Sequence, residues 1–223
     1  MFNLRANLEY LARMKPYIIM SVMLFFAGVI VGGTNESLRD FLNGQLSALA
    51  EFSNMAESTD NPGLAIFLII FFNNAIKSAL VIYMGALFGI FPAVFLVVNG
   101  MILGYMYTMI NESGQNAALL FLKGVLPHGI IEIPAVLLAS AFGLKLGSLV
   151  FKSIGSVFKR RTGLAGEYEA FVIRSVPALL LVIAALLAAA LVESTVTVWL
   201  LSPEVRRVQG RTNFGNILSQ DCA

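Results

Sequence analysis

Charged residues are scarce in this chain: Asp, Glu, Lys and Arg together make up 13% of its 223 residues. Soluble domains carry about 25% charged residues and about 45–50% apolar residues. Here the apolar fraction reaches 58%. The shortage of charge excludes an ordinary soluble domain and predicts an integral membrane protein that has the lipid bilayer as its main surroundings.

Cysteine and histidine are nearly absent, with one residue of each. Because Cys222, next to the C-terminus, is the single cysteine of the sequence, an intrachain disulfide and a thiolate metal cage are both excluded. Phosphate-binding glycine loops, nucleotide-binding fingerprints and hydrolase triad patterns are missing as well. The net charge of +2 is too small to indicate nucleic-acid binding. The sequence therefore predicts a noncatalytic protein without a cofactor or a nucleic-acid partner.

Long apolar runs are what the chain has in abundance. A bilayer core of about 30 Å requires about 20 apolar residues in a helix, and five segments meet this requirement. They are residues 16–33, 64–88, 90–110, 129–151 and 175–201. We predict an all-α, polytopic transmembrane helix bundle that forms a single domain over residues 1–201, followed by a C-terminal tail at residues 202–223.

The distribution of charge predicts the orientation of the bundle, because Lys and Arg concentrate in cytoplasmic loops. Basic residues precede the first span and fill a loop at residues 152–174, whereas the loop at residues 34–61 is acidic. We therefore expect a multi-pass protein of the cell membrane with a cytoplasmic N-terminus and an extracytoplasmic C-terminus. The basic residues of the tail oppose this orientation, but the rule gives later positions less weight.

Two segments on the outer side depart from this simple pattern. The acidic loop has apolar residues at helical spacing, which predicts an amphipathic helix whose apolar stripe packs on the bundle rather than on a partner protein. The stripe consists of Leu38, Phe41, Leu42, Leu46, Leu49 and Phe52. Residues 117–122 are apolar but too short to span, and Pro127 disfavours a helical conformation at Leu126. They predict a short re-entrant or interfacial half-helix.

Glycine occurs four times in pairs that are four residues apart. Such pairs let helix backbones approach closely, which is a main source of helix association in lipid. The pairs are Gly28 with Gly32, Gly85 with Gly89, Gly100 with Gly104, and Gly143 with Gly147. They favour tight packing within the chain or a homodimer over a wide pore.

Polar and ionisable side chains inside apolar spans are costly and therefore mark candidate functional sites. Counting along the predicted helices places three asparagines near the middle of the membrane and three ionisable residues in its outer half. The candidates are Asn73, Asn74, Asn99, His128, Glu132 and Glu193. If the helices turn these groups toward one another, they form one buried polar cluster. Structural hydrogen bonding between helices is the simpler explanation of the asparagines.

His128 and Glu132 lie one helical turn apart, so both side chains project from the same face of a helix. The pair allows three arrangements: a hydrogen bond that fixes the imidazole tautomer, a proton relay, or two ligands of a metal site. A catalytic zinc ion needs three protein ligands, so Glu193 would have to complete the set. Because such loose motif matches are mostly false, we predict no metal site.

Several motifs occur in an order and spacing that resemble those of the stage II sporulation protein M family. They are Phe71-Phe72-Asn73-Asn74, Gly85-Ala86-Leu87-Phe88-Gly89-Ile90-Phe91-Pro92, Asn99-Gly100-Met101-Ile102-Leu103-Gly104, Leu126-Pro127-His128-Gly129-Ile130-Ile131-Glu132-Ile133-Pro134, and the stretch from Ala188 to Glu193. The Pro-His-Gly-x-x-Glu string is the most specific of them.

This resemblance implies a five-span envelope protein, which in spore formers works with stage II sporulation proteins D and P in peptidoglycan remodelling during engulfment. It marks several polar positions as being of interest without assigning their chemistry. These positions are Asn73, Asn74, Asn99, His128 and Glu132.

Three functions are compatible with the sequence. We favour a noncatalytic membrane scaffold that docks membrane or envelope proteins through its outward amphipathic helix. A conduit for an ion, a proton or a lipid accounts better for the ionisable residues His128, Glu132 and Glu193. An intramembrane metal-dependent hydrolase accounts only for the spacing of His128 and Glu132.

Overall fold

The computed structural model describes residues 4–159 and 164–197, and this part of the chain is helical almost throughout. Its α-helices are α1 Leu4–Arg13, α2 Lys15–Thr34, α3 Arg39–Glu57, α4 Pro62–Met84, α5 Ile90–Glu112, α6 Ala117–Gly124, α7 Leu126–Lys159 and α8 Leu164–Val192. A 3₁₀ turn at Glu36–Leu38 precedes α3, and a π-helical turn at Glu193–Thr197 follows α8. The prediction of an all-α helix bundle is confirmed.

Five of these helices, α2, α4, α5, α7 and α8, are long and apolar enough to cross a bilayer. Their outer surfaces carry large apolar side chains. Met23, Ile30, Ile130 and Leu181 are each more than half exposed. Such continuous apolar surfaces are unfavourable in water, so they face lipid. The chain is therefore a multi-pass membrane protein.

The spanning helices pack in the directions that five successive crossings require. Gly28 and Gly32 of α2 meet Val97 and Met101 of α5 in the same order along both helices, so α2 and α5 are parallel. Helices α4 and α7 are parallel in the same way. Helices α7 and α8 are antiparallel, because the start of α7 meets the end of α8 and the end of α7 meets the start of α8.

The paired glycines lie where backbone segments touch. Most of them have so little room that an added β-carbon would overlap backbone atoms of a facing segment: Gly28, Gly32, Gly85, Gly100, Gly104, Gly143 and Gly147. Gly89 instead has a left-handed φ of 73° at the turn between α4 and α5, which a residue with a side chain would adopt only with strain. These contacts lie within one chain, so a homodimer through the same glycines would have to displace them.

The predicted basic loop at residues 152–174 is mostly helical, because α7 and α8 both extend into it. The Nζ atom of Lys152 on α7 lies 3.0 Å from a carboxylate oxygen of Glu167 on α8, so these helix ends form an ion pair. Arg160 and Arg161 lie outside the described residues, as does the predicted tail.

The two basic regions of the sequence lie at one end of the bundle. The ring of Tyr10 on α1 is 6.0 Å from the ring of Phe142 on α7. The guanidinium of Arg174 on α8 donates a hydrogen bond of 2.6 Å to Oδ1 of Asn7 on α1. Burial raises the pKa of Tyr10 to about 12. The acidic helix α3 packs at the opposite end, and this separation is what the predicted orientation requires.

The predicted amphipathic helix is present as α3, and it lies against the bundle. Leu42 is completely buried and packs with Tyr105 of α5. The hydroxyl of Tyr105 donates a hydrogen bond of 2.7 Å to Oδ1 of Asn43. Leu38, Leu42 and Leu46 of the apolar stripe therefore pack on α5, whereas Phe41, which we assigned to the same stripe, is 48% exposed. The side chains of Leu49 and Phe52 lie outside the described part of the structure.

The predicted half-helix is present as α6, which leads directly into α7. Oδ1 of Asn116 accepts a hydrogen bond of 3.0 Å from the backbone N–H of Leu119 and so caps the first turn. Backbone hydrogen bonds from Val125 and Gly129 continue across the junction, although Pro127 has no N–H to donate. Leu126 is nevertheless the first residue of α7, so the expectation that Pro127 would disfavour a helical conformation there is wrong.

Candidate intramembrane polar site

Glu132 lies in the second turn of α7 and contacts α4. Its Oε1 atom accepts a hydrogen bond of 2.8 Å from Nδ2 of Asn74, and Oδ1 of Asn74 accepts a hydrogen bond of 3.3 Å from Nδ2 of Asn73. Asn74 lies about 18 Å along α4 from Pro62. Glu132 is therefore at the level of the middle of α4, deeper than the outer half in which we expected it.

His128 lies one turn before Glu132 and faces the end of α8. Its Nε2 atom is 3.8 Å from Oε2 of Glu193, and the two side chains are 14% and 30% exposed. This distance is longer than a hydrogen bond but short enough for an ion pair. The antiparallel packing of α7 and α8 thus gives Glu193, which is embedded in an apolar stretch of sequence, a partner on another helix.

Three ionisable side chains from two helix ends therefore converge. One ligand atom from each of His128, Glu132 and Glu193 lies within 4.8 Å of the others. Among the described residues, no second group of three His, Cys, Asp or Glu side chains is as compact. The spacing of His128 and Glu132 along α7 places these two side chains together, whereas the packing of α7 against α8 brings Glu193 close to them.

Asn99 of α5 faces the same region across a small cavity. Its Nδ2 atom donates a hydrogen bond of 2.7 Å to the backbone oxygen of Phe95. The cavity has a volume of about 130 Å³ and is lined by Asn99, His128 and Glu132 together with apolar residues that include Phe25. The structure therefore brings all six predicted polar residues to one region, although the described hydrogen bond of Asn99 is to its own helix.

Lys77 of α4 supplies a positive charge near this region. It lies one helical turn after Asn73, and its ammonium group interacts electrostatically with Glu132. The sequence pattern alone does not connect Lys77 with Glu132. The sequence does indicate that Lys77 and Asn74 lie on one face of α4, because Lys77 is three residues after Asn74.

The imidazole of His128 is incompletely paired. Its Nδ1 atom is buried and has no hydrogen-bond partner among the described residues. A buried polar atom without a partner costs about 1–3 kcal/mol. The ring can therefore accept a proton or a ligand without first losing a hydrogen bond at this atom.

The side chains of His128, Glu132 and Glu193 can accommodate a positive charge in two ways. A proton can be shared between His128 and a carboxylate, which reduces the negative charge of the site. Alternatively, a cation can bind between the imidazole and the two carboxylates. In either case the ionised groups need a counter-charge, because isolated charges are expensive away from water.

A second charged cluster, which was not predicted from the sequence, lies at the basic end of the bundle. A carboxylate oxygen of Glu167 lies 3.0 Å from Nζ of Lys152 and 3.5 Å from Nζ of Lys145. Nζ of Lys145 is also 5.3 Å from the centre of the Tyr17 ring, within the range of a cation–π interaction. The seven-residue spacing of Lys145 and Lys152 is the sequence feature that indicates this cluster, because it puts both lysines on one face of α7. The cluster links α2, α7 and α8.

Comparison with known proteins identifies the family of the chain. The family model described as Stage II sporulation protein M matches residues 18–198, which include every residue of the polar site. No curated protein and no solved structure matches the chain. Since the family match covers well over half of the sequence, the chain belongs to the stage II sporulation protein M family, a sporulation-related family of membrane proteins.

Proposed function

We propose that the chain is a noncatalytic, multi-pass scaffold of a cell-envelope complex that remodels peptidoglycan or the envelope in spore formers. The observation that carries this proposal is the attachment of α3 to the outer end of the bundle. A helix that is held firmly beside the membrane presents a preorganised surface to a partner, which lowers the entropic cost of binding.

Contacts at more than one point hold α3 in place, including the hydrogen bond from Tyr105 to Asn43. Leu42 is completely buried against α5. At the start of α3, the guanidinium of Arg39 donates a hydrogen bond of 2.6 Å to a carboxylate oxygen of Glu112 at the end of α5. This hydrogen bond raises the pKa of Arg39 above its ordinary value.

The outward surface of α3 combines negative charge with apolar side chains. Asp40 and Glu51 are exposed, and Phe41 and Met55 are 48% and 62% exposed. Aromatic residues and methionine are enriched in protein interfaces. This surface suits an extracytoplasmic protein domain that presents basic residues around an apolar pocket.

The interior of the bundle supports a scaffold more than a wide pore. Glycine contacts bring the backbones of α2 and α5, and those of α4 and α7, into direct contact. The cavity beside the polar site has a volume of only about 130 Å³. A tightly packed bundle of this kind is a rigid support for an outer docking helix.

Site-specific photo-crosslinking tests the scaffold. A photoreactive amino acid would replace Phe41 on α3 or, as a matched control, the exposed Phe72 on α4. We expect one envelope protein to be crosslinked from position 41 in intact cells, and not from position 72. Phe41→Ala should then weaken binding of the identified partner strongly, since interface anchors contribute about 2 kcal/mol or more. Lipid adducts alone at both positions would contradict the scaffold.

A conduit for an ion, a proton or a lipid is a second candidate function. The observation in its favour is that His128 and Glu132, which are expensive to place inside a membrane, face a cavity. Flux measurements in proteoliposomes test this candidate by comparing wild-type protein with Glu132→Gln and with the exposed control Glu51→Gln. Flux that Glu132→Gln abolishes and Glu51→Gln preserves would establish a conduit. Wild-type flux equal to that of empty liposomes would reject it.

A further inference from the structure

We propose that His128, Glu132 and Glu193 bind one divalent first-row transition-metal ion, for which zinc is the appropriate probe. The site lies between the start of α7 and the end of α8. It goes beyond the scaffold function, which requires no metal, and it reverses our prediction from the sequence.

The ligand set is suited to such an ion. Imidazole nitrogen and carboxylate oxygen are both common zinc ligands. The objection from the sequence was that Glu193 would have to complete the ligand set and that such loose motif matches are mostly false. Tertiary packing removes this objection, because the ligand atoms of all three residues lie within 4.8 Å of one another.

The distances require only a small contraction on binding. With bonds of about 2.1 Å, the ligand atoms of a tetrahedral zinc site are about 3.4 Å apart. The Nε2 atom of His128 is already 3.8 Å from Oε2 of Glu193. Movements of about 1 Å, which side-chain rotation supplies, would complete the geometry without a change in the helix backbones.

The charges of the site favour a cation. Glu132 and Glu193 bring two carboxylates close together within a membrane-spanning bundle, and Lys77 is the cation that interacts with Glu132. One ammonium group offsets only one carboxylate. A divalent ion between the ligands would outweigh this remaining negative charge and remove the repulsion between the two acidic groups, and an anionic further ligand could balance its excess positive charge.

The neighbouring asparagines would orient a ligand. The hydrogen bond from Asn74 occupies Oε1 of Glu132 and leaves Oε2 for the ion, while Asn73 donates to Asn74 in turn. Metal-bound carboxylates typically have outer hydrogen-bond partners of this kind. Asn74 is therefore a positioning residue, with no metal contact of its own.

Three protein ligands leave one position of a tetrahedral ion for another donor. The cavity lined by Asn99, His128 and Glu132 adjoins the ligands. Its volume of about 130 Å³ accommodates water or a small oxygen-bearing group. A water molecule or a carboxylate or phosphate oxygen fits the chemistry of the fourth position.

Metal analysis of purified full-length protein tests the site. The protein would be prepared without a histidine tag or a chelator, analysed by mass spectrometry for first-row metals, then stripped and titrated with zinc. We expect about one divalent ion per chain and saturable zinc binding. His128→Ala and Glu193→Gln should abolish tight binding, whereas the matched control Glu51→Gln on α3 should bind as the wild type does.

The Asn74→Ala variant tests the site while keeping all three proposed ligands. Loss of an outer hydrogen bond to a ligand typically weakens metal binding by about 10–100-fold, so we expect a weakening in this range. Stripped wild-type protein should also gain thermal stability when zinc is added. Stripped wild-type protein that binds zinc no more tightly than His128→Ala, with no gain in stability, would overturn the proposal. The scaffold would survive that result, because crosslinking through Phe41 does not depend on the metal.

Discussion

Asn74 of α4 and Glu132 of α7 are joined by a hydrogen bond of 2.8 Å at the level of the middle of α4. Nearer the basic end, the same two helices touch through the backbones at Gly85 and Gly143. Lipid offers no alternative hydrogen-bond partner for the amide or the carboxylate. The α4–α7 pair is therefore held at two levels, by a polar contact in one place and by close backbone packing in the other.

We expect Asn74→Ala to lower the free energy of unfolding by about 1–3 kcal/mol, because Glu132 would lose the donor that satisfies its buried oxygen. Asn73→Ala should cost less, since the described contact of Asn73 is with Asn74 on the same helix. Reversible unfolding in mixed micelles, followed by circular dichroism, measures both effects. Equal losses for the two variants would show that the contact with Glu132 is not the stabilising one.

Gly104→Ala should be strongly unfavourable, because the new methyl group would overlap the backbone of Val29 on α2. Overpacking of this kind typically costs about 1–3 kcal/mol. The matched control is Gly155→Ala on α7, where no atom lies within 4 Å of the added β-carbon. Alanine there should be neutral or should stabilise the helix by about 0.5–1 kcal/mol. Thermal unfolding in detergent compares the two, and a tolerated Gly104→Ala would contradict the close contact of α2 with α5.

Leu42→Ala should loosen α3 from the bundle, because Leu42 is completely buried and large-to-small substitutions in packed sites cost about 2–5 kcal/mol. Gln45→Ala, on the exposed side of α3, is the control. Hydrogen–deuterium exchange measures the effect. Faster exchange of α3 amides is expected in Leu42→Ala alone, and the spanning helices should retain wild-type exchange. Unchanged exchange in α3 would mean that other contacts hold this helix.

The single cysteine makes the orientation directly testable. We expect Cys222 to react with a membrane-impermeant maleimide in intact cells, because five crossings from a cytoplasmic N-terminus place the C-terminus outside. In a Cys222→Ala background, Glu9→Cys on the exposed surface of α1 should react only after the membrane is permeabilised. The reverse pattern of labelling would invert the predicted orientation.

The helices and the spans could be predicted because their signals are local. Apolar runs long enough for a bilayer identified all five candidate spans, and the spacing of Leu38 and Leu42 identified α3. The bounds were less accurate where charge interrupted the apolar pattern. α8 begins at Leu164, whereas the predicted span began at residue 175, because Glu167, Glu169 and Arg174 interrupt the apolar pattern before it.

The candidate site was predictable only in part. The spacing of His128 and Glu132 placed them on one helix face, and the cost of a carboxylate in an apolar stretch singled out Glu193. The sequence did not reveal that Glu193 lies against His128 or that Asn74 donates to Glu132. It also gave no account of Lys145, which pairs with Glu167 across the α7–α8 contact.

The sequence by itself determined which segments are helical, how many can cross a membrane and which side chains share a face, because hydropathy and helix periodicity act over neighbouring residues. Only the tertiary structure decided which faces meet. Successive residues of a helix are rotated by about 100°, so a small change in helix orientation replaces one facing side chain with another. Contacts between backbones at the glycines fix that orientation for α2 with α5 and for α4 with α7, whereas the antiparallel packing of α8 on α7 brings Glu193 to His128.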